Sequence, residues 1–159
     1  MASKRSAISM TPEELDDYLG APRTLNIATI GPTGRPHLVA MWFGFVGGDR
    51  FSTGTIAFWT FGKSQKVMNL RRDPRMSALV ESGATYAELR GVELEGSARL
   101  VDDPDEVLAI ALAVSPRYSG PVDERGRGFL AAQARKRVGV LFDVERVVSW
   151  DHTKLGGVY

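Results

Sequence analysis

Two stretches rich in β-branched and aromatic residues, separated by a short turn, constrain the fold of this chain most. They read TLNIATI (24–30) and RPHLVAMWFGFV (35–46), and the turn between them is GPTG (31–34). Glycine and proline favour a tight reversal, and each flanking run is typical of a β-strand. The sequence therefore predicts an antiparallel hairpin near the N-terminus.

The rest of the chain alternates strands with helices. Thr11, Pro12 and Glu14 form the start signal of a first helix. Gly91 and Gly96 interrupt one long predicted strand and indicate bends or bulges, as in small barrels. Hairpin connections and glycine-kinked strands favour a mainly β fold, a small antiparallel barrel, over a parallel doubly wound sheet. Further strands are predicted at 55–61, 76–81, 89–101 and 138–150 (the last as one strand or a pair), and helices at 12–20, before Asp73-Pro74, at 102–114 and at 123–137.

Composition excludes several classes of chemistry. The 159 residues include no cysteine and two histidines, so cysteine nucleophiles and thiolate metal sites are excluded, and we expect no metal. A net charge of +1 argues against a dedicated nucleic-acid binder. We expect a flexible N-terminus (1–10) and one domain (11–159). Because the N-terminus lacks the apolar segment of a signal peptide and no apolar run reaches about 18 residues, we expect a cytoplasmic protein without a membrane partner.

A basic stretch, KSQKVMNLRRDPR (63–75), carries five basic residues and one acidic residue in an otherwise near-neutral chain. Lys63, Ser64 and Lys66 fall where a predicted strand gives way to a predicted helix. A helix N-terminus presents free backbone N–H groups and the positive end of the helix dipole, so it attracts anions. Composition alone leaves two interpretations open: a phosphate-binding corner, or a solvated basic helix face.

Three segments in this order carry a family resemblance: NIATIGPTGRPHLVAMWF (26–43), KSQKVMNLRRDPR (63–75) and GVELEGSARLV (91–101). They resemble the split β-barrel flavin and deazaflavin oxidoreductases, the superfamily that includes pyridoxamine 5'-phosphate oxidase. The resemblance covers about residues 11–154. The closing SWDHTKL (149–155) further resembles the actinobacterial branch that uses the deazaflavin coenzyme F-420 rather than FMN.

The resemblance implies an FMN-binding-like fold, a six-stranded antiparallel split β-barrel with flanking helices, assembled as a homodimer. It implies that the cofactor lies in a groove at the subunit interface, with its phosphate at the strand-to-helix corner and its ring over the second and third strands. The partner's tail also contributes. The cofactor-binding residues so implied are Pro36, His37, Val39, Met41, Trp42, Thr60, Lys63, Ser64, Gln65, Lys66, Asn69, Arg72, Trp150 and His152, with Trp59 and Phe61 also beside the ring.

The function implied is hydride transfer from reduced F-420 to a small electron-poor organic substrate. F-420 carries a phosphate and an oligoglutamate tail, so surplus basic residues suit it better than FMN. Two alternatives stay open: an FMN-dependent oxidase or reductase of the same fold, and a non-enzymatic carrier of flavin or deazaflavin. No catalytic residue is assigned, because the cofactor supplies the difficult chemistry.

The aromatic and histidine candidates each keep a purely structural alternative. Trp42, Trp59 and Trp150 suit stacking on a ring, but tryptophan is equally common in cores and dimer interfaces. His37 either contacts the cofactor or lies exposed near the turn. His152 either faces the mouth of the site or belongs to an ordered tail.

Overall fold

Seven strands and six helices make up the part of the chain that the computed structural model describes, residues 4–47, 51 and 54–156. The strands are β1 (Leu25–Ile30), β2 (Pro36–Met41), β3 (Gly44–Val46), β4 (Thr55–Phe61), β5 (Arg75–Ser82), β6 (Arg90–Val101) and β7 (Arg137–Asp151). The helices are α1 (Lys4–Ala7), α2 (Pro12–Gly20), α3 (Gln65–Arg72), α4 (Pro104–Val114), α5 (Pro116–Ser119) and α6 (Glu124–Ala134), with short 3-10 helices at Tyr86–Glu88 and His152–Leu155.

All seven strands form one antiparallel sheet in the order β2-β1-β5-β6-β7-β4-β3. β2 and β3 lie at opposite edges of this sheet, yet only Trp42 and Phe43 separate them along the chain. Such a link spans roughly 10 Å, so the sheet must curl until its edges approach each other. The result is a half-barrel with flanking helices, which confirms the predicted mainly β, antiparallel class.

The prediction of six strands is corrected to seven, because the run RPHLVAMWFGFV is not one strand. It breaks at Trp42 and Phe43, after which β3 pairs with β4, with Phe45 opposite Ile56. At the break the Tyr118 hydroxyl accepts a hydrogen bond from the Phe43 N–H at 3.1 Å and thereby takes the place of a neighbouring strand. The last predicted stretch is one strand, β7, rather than a pair.

The two glycines predicted to disturb the long strand behave differently. Gly96 lies at a register shift between β6 and β7, so the predicted bulge is confirmed there. Gly91 instead pairs regularly with Trp150. A Cβ at Gly91 would overlap the Trp150 indole, so this position needs glycine for close approach rather than for a bend.

The core lies on the concave face of the sheet, and α4 covers the outer face beside β3, β4 and β7. Along β4, Ile56 and Phe58 point into the main core, whereas Ala57 packs with Ile110 and Val114 of α4. This alternation follows from the two-residue period of a strand. It places Thr60 on the inner side of β4 and Trp59 on the side of α4.

The ends of the described chain are tied to β7. The backbone N–H of Asp151 donates to the Ile8 carbonyl at 2.7 Å, and Met10 is buried. The capping box of α2 is confirmed, since Thr11 Oγ1 accepts from the Glu14 N–H and the Glu14 carboxylate accepts from the Thr11 N–H. No helix within the described ranges is both long enough and apolar enough to cross a membrane. Parts of the predicted N-terminal tail, of the GGDR turn, of the FSTG loop and of the C-terminus lie outside the described residues, at 1–3, 48–50, 52–53 and 157–159.

Candidate cofactor site

The corner between β4 and α3 ends at Ser64, whose side-chain hydroxyl makes no hydrogen bond with the described residues. Ser64 is the N-cap residue of α3, but its side chain makes no capping hydrogen bond. Its Oγ is buried and has no partner among the described residues. Buried polar groups normally have partners, and the first N–H groups of a helix have none within the helix. The arrangement therefore suits an anion placed at the start of α3.

The three helices in the described ranges that are longer than α3 begin differently. The side chains of Thr11, Asp103 and Asp123 cap α2, α4 and α6, and each of these helices has an acidic residue in its first turn. α3 has no acidic residue in its first turn. Acidic side chains and caps satisfy the positive end of a helix. The positive end of α3 therefore has neither a side-chain cap nor an acidic side chain in its first turn.

Lys66 supplies a positive charge on the inner side of the corner. Its Nζ donates to Thr60 Oγ1 at 3.0 Å, and Thr60 is buried. Burial, followed by the charge of Arg137, lowers the pKa of Lys66 below its ordinary value. No carboxylate pairs with Lys66 in the described part of the chain. Its charge is therefore available to a bound anion.

A buried amide holds the corner against the sheet. Asn69 is fully buried, and its Nδ2 donates to Thr29 Oγ1 at 3.0 Å. Asn69 Oδ1 accepts from Gln65 Nε2 at 2.8 Å and from Arg72 Nη2 at 3.2 Å. Arg72 also donates to the Ile30 carbonyl at 2.6 Å. Gln65, Asn69 and Arg72 thus brace the corner, together with Thr29, which was not among the predicted site residues.

A cavity of about 720 Å³ lies where the end of β2 meets β4 and the segment 115–130, which contains α5 and the start of α6. Met41 and Trp42 form one wall, and Trp59 and Arg137 form another. The Arg137 guanidinium carbon lies 4.4 Å from the centre of the Trp59 ring. Ligand pockets commonly have volumes of roughly 300–1,000 Å³. The cavity, called the tryptophan cavity below, is large enough for a planar ligand.

Tyr118 of α5 fixes the orientation of Trp42. The two rings stack with centroids 4.7 Å apart and planes 2° from parallel. The Tyr118 hydroxyl accepts from the Phe43 N–H at 3.1 Å and faces the carbonyls of Arg23 at 2.8 Å and Phe43 at 3.1 Å. The hydroxyl is therefore occupied by backbone groups. Tyr118 thus holds the Trp42 ring in place, and no pattern in the sequence near Tyr118 indicates this role.

A basic hollow of about 490 Å³ adjoins the corner, lined by Phe61, Lys63, Arg71, Asp102, Arg135, Lys136 and Arg137 among others. Asp102 is paired with Arg71, with Arg71 Nη2 and Asp102 Oδ1 2.7 Å apart. Lys63, Arg135 and Lys136 have no ion pair within the described ranges. The hollow therefore keeps surplus positive charge beside the open end of α3.

The structure does not bring every predicted site residue into one cluster. Val39 and Trp150 line a separate cavity of about 600 Å³ together with Leu38, which is 72% exposed. His37 has a buried Nδ1 without a described partner. His152 follows the far end of β7, where its Nδ1 lies 2.8 Å from the Tyr86 carbonyl. Pro36 lines another hollow beside Arg75. Seven predicted residues do lie together at the corner between β4 and α3, namely Thr60, Lys63, Ser64, Gln65, Lys66, Asn69 and Arg72.

Residues 11–151 match the pyridoxamine 5'-phosphate oxidase family, so the chain belongs to this family, as the sequence motifs predicted. Its structure is similar to that of the conserved hypothetical protein Rv2991 from Mycobacterium tuberculosis, with 42% identity, a TM-score of 0.88, and coverage of 99% of this chain and 95% of that one. No curated protein is significantly similar to the sequence.

Two further structural neighbours differ in what they bind. An F-420 reductase is 26% identical, with a TM-score of 0.64 and coverage of 83% of this chain and 94% of that one. HutZ, a heme storage protein from Vibrio cholerae, is 16% identical, with a TM-score of 0.63 and coverage of 86% and 93%. The second likeness concerns the fold alone.

Proposed function

We propose that this protein binds coenzyme F-420 and uses its reduced form to deliver a hydride to a small electron-poor organic substrate in the cytoplasm. The observation that carries the proposal is the open start of α3. There the buried Ser64 hydroxyl has no partner among the described residues, no side chain caps the helix N–H groups, and Lys66, two residues further on, has an ammonium without an ion pair. This donor set fits a phosphate group. Membership of the family and the likeness to an F-420 reductase support a flavin-type cofactor.

The bound deazaflavin would supply the hydride chemistry, and the chain would bind and orient it. Ser64, Lys66 and, further out, Lys63 hold the phosphate. The brace of Gln65, Asn69 and Arg72 keeps those donors in place.

β2 is an edge strand, so half of its backbone N–H and C=O groups have no strand partner and would be available to the ring. Met41 and Trp42 give the ring an apolar wall at the end of β2, with Trp59 across the tryptophan cavity. Pro36, His37 and Val39 lie further along the same strand, outside the tryptophan cavity, and would meet only a part of the cofactor that extends along β2. Thr60 would hold the Lys66 ammonium beside the phosphate. In a homodimer, Trp150 and His152 approach the partner's cofactor from the end of β7.

The basic hollow favours F-420 over FMN. F-420 ends in an oligoglutamate tail, and FMN has no such tail. Lys63, Arg135 and Lys136 leave their charges unpaired beside the phosphate corner. Carboxylates near these groups gain Coulomb energy that salt screens over about 10 Å at 0.1 M. The hollow is thus a site for the tail.

Titration of the purified protein with F-420 and with FMN tests the proposal. We expect tighter binding of F-420, tighter binding of longer tails, and a fading of the tail effect as salt rises. Lys136→Gln should reduce the dependence on tail length. Arg99→Gln, which removes an exposed charge paired with Asp143 elsewhere on the sheet, should not.

Equal affinity for F-420 and FMN, without dependence on tail length or salt, would contradict the choice of F-420. Turnover is measured separately, with activated alkenes, quinones and nitro compounds as hydride acceptors. Tight binding of F-420 without turnover of any of them would identify a carrier rather than an oxidoreductase.

A further inference from the structure

The tryptophan cavity also has an apolar wall on the side away from β2. On the side formed by the segment 115–130, Val122 and Phe129 face the cavity, and Phe129 is 63% exposed. Trp59 lies on the β4 side of the same space. Large apolar side chains are seldom left exposed together unless something covers them. This wall is separate from the β2 wall of Met41 and Trp42.

One unpaired cation stands in this apolar wall. The side chain of Arg137 has no ion pair or hydrogen bond within the described part of the chain, and its Nε is buried without a partner. Stacking over Trp59 holds the guanidinium in place. Its planar set of N–H donors matches the two oxygens of a carboxylate.

The carboxylate in the lining does not neutralise Arg137. Asp123 Oδ1 accepts from the Gly126 N–H at 2.7 Å and caps α6. Its charge therefore lies at the positive end of that helix, which offsets it. The cavity presents an apolar wall with one available positive charge.

We propose that this side of the tryptophan cavity binds the hydride acceptor, and that the acceptor is a flat conjugated molecule with one carboxylate. The carboxylate pairs with Arg137, and the planar body lies against Trp59 and Phe129. The term acceptor rests on the proposed function. The binding site itself does not, because the probes below test it on the protein without cofactor.

A matched pair of probes tests the site directly. 2-Naphthoate and its neutral isostere 2-naphthamide share a flat ring system and differ in charge. Isothermal titration of the full chain without cofactor should show one site that binds 2-naphthoate at least tenfold more tightly than 2-naphthamide. Equal affinities would overturn the proposal.

Variants then locate the site. Arg137→Gln should abolish the preference for naphthoate, Arg137→Lys should keep part of it, and Phe129→Ser should weaken both probes alike. Arg125→Gln removes the same charge from α6 without lining the cavity, and it should change nothing. A preference that survives Arg137→Gln in a protein with an unchanged melting temperature would refute the assignment.

Saturation with F-420 separates this proposal from the proposed function. Because Arg137 also lines the basic hollow, the cofactor used here is F-420 without its oligoglutamate tail. Naphthoate should still bind, within about twofold of its affinity for the protein alone. Displacement of naphthoate by F-420 would assign the whole cavity to the cofactor and overturn the acceptor site. Failure of F-420 to bind, with the naphthoate preference intact, would refute the proposed cofactor and leave the anion site standing.

Discussion

At the scale of single residues, some basic side chains of the stretch 63–75 have partners within the protein, and others have no anionic partner among the described residues. Arg75 is paired with Asp73, with Arg75 Nη2 and Asp73 Oδ2 2.7 Å apart, and this contact lowers the pKa of Asp73 to about 2. Arg71 is paired with Asp102, and Arg72 bonds to backbone and to the Asn69 amide. Lys66 remains without an anionic partner among the described residues. Most of the stretch is thus structural.

Lys66→Ala is expected to weaken F-420 binding by about 1.5–3 kcal/mol, the value of a hydrogen bond to a charged group. Lys63→Ala and Ser64→Ala should cost less, because the helix N–H groups still hold the anion. Isothermal titration of the three variants, with melting temperatures as the control for folding, measures this. A solvated basic face would instead leave all three affinities unchanged.

The pH dependence of the same titration distinguishes Lys66 from a mere spectator. Burial and Arg137 lower the pKa of Lys66, so the free protein loses this charge at a lower pH than an ordinary lysine does. A bound phosphate favours the charged form and raises the pKa again. Affinity should therefore fall as pH rises through the lowered pKa. Lys66→Arg should flatten that decline, because arginine stays protonated.

At the scale of elements, the pairing of β6 with β7 depends on a missing side chain. Gly91→Ala places a methyl group on the Trp150 ring, so the indole or the strand must move. We expect a loss of about 1–3 kcal/mol of unfolding free energy, the usual cost of overpacking. Thermal and urea unfolding measure the change, and tryptophan fluorescence reports the displacement.

Gly128→Ala serves as the control for this substitution. Gly128 lies within α6, and a Cβ there meets nothing within 4 Å. Alanine should therefore stabilise the helix by up to about 1 kcal/mol. Equal effects of the two substitutions would show that the indole yields easily at Gly91.

Elements defined by neighbouring residues were predictable, and elements defined by distant partners were not. Thr11 and Glu14 are three residues apart and form the capping box of α2, so the local sequence is sufficient to predict this helix start. The break after β2 depends on Tyr118, which lies far along the chain. No pattern within RPHLVAMWFGFV reveals that partner.

The candidate site divides in the same way. The start of α3 could be predicted as a candidate anion site from residues 63–66, because a predicted strand gives way directly to a predicted helix there. Arg137 was missed as a site residue, since only the pairing of β7 with β4 places it opposite Phe61 and over Trp59. The cluster RKR at 135–137 was the one available signal.

At the scale of the whole molecule, the outer face of the sheet carries an exposed apolar patch beside β2. Leu38, Ala40, Leu79 and Trp150 line its cavity, and Leu38 is 72% exposed. Exposed patches of this kind mark interfaces. We expect a homodimer that buries this face, as the family resemblance implies.

Sedimentation at micromolar concentration measures the assembly. Leu38→Asp should shift the dimer to monomer, because it places a charge in the buried face. Met68→Asp makes a similar change at an exposed apolar residue of α3 and should leave the dimer intact. A stable wild-type monomer would refute the prediction.

The order of strands in the sheet also fixes when the site exists during synthesis. β4 carries Trp59 and Thr60, but its long partner is β7, which begins roughly 80 residues later. At about 5–20 residues per second, a ribosome needs on the order of 4–16 s to make that interval. Until then β4 has only the short β3 beside it, and Arg137 has not yet been added to the chain. The tryptophan cavity, which includes both Trp59 and Arg137, is therefore complete only after β7 has been made, although all residues of the phosphate corner are made much earlier.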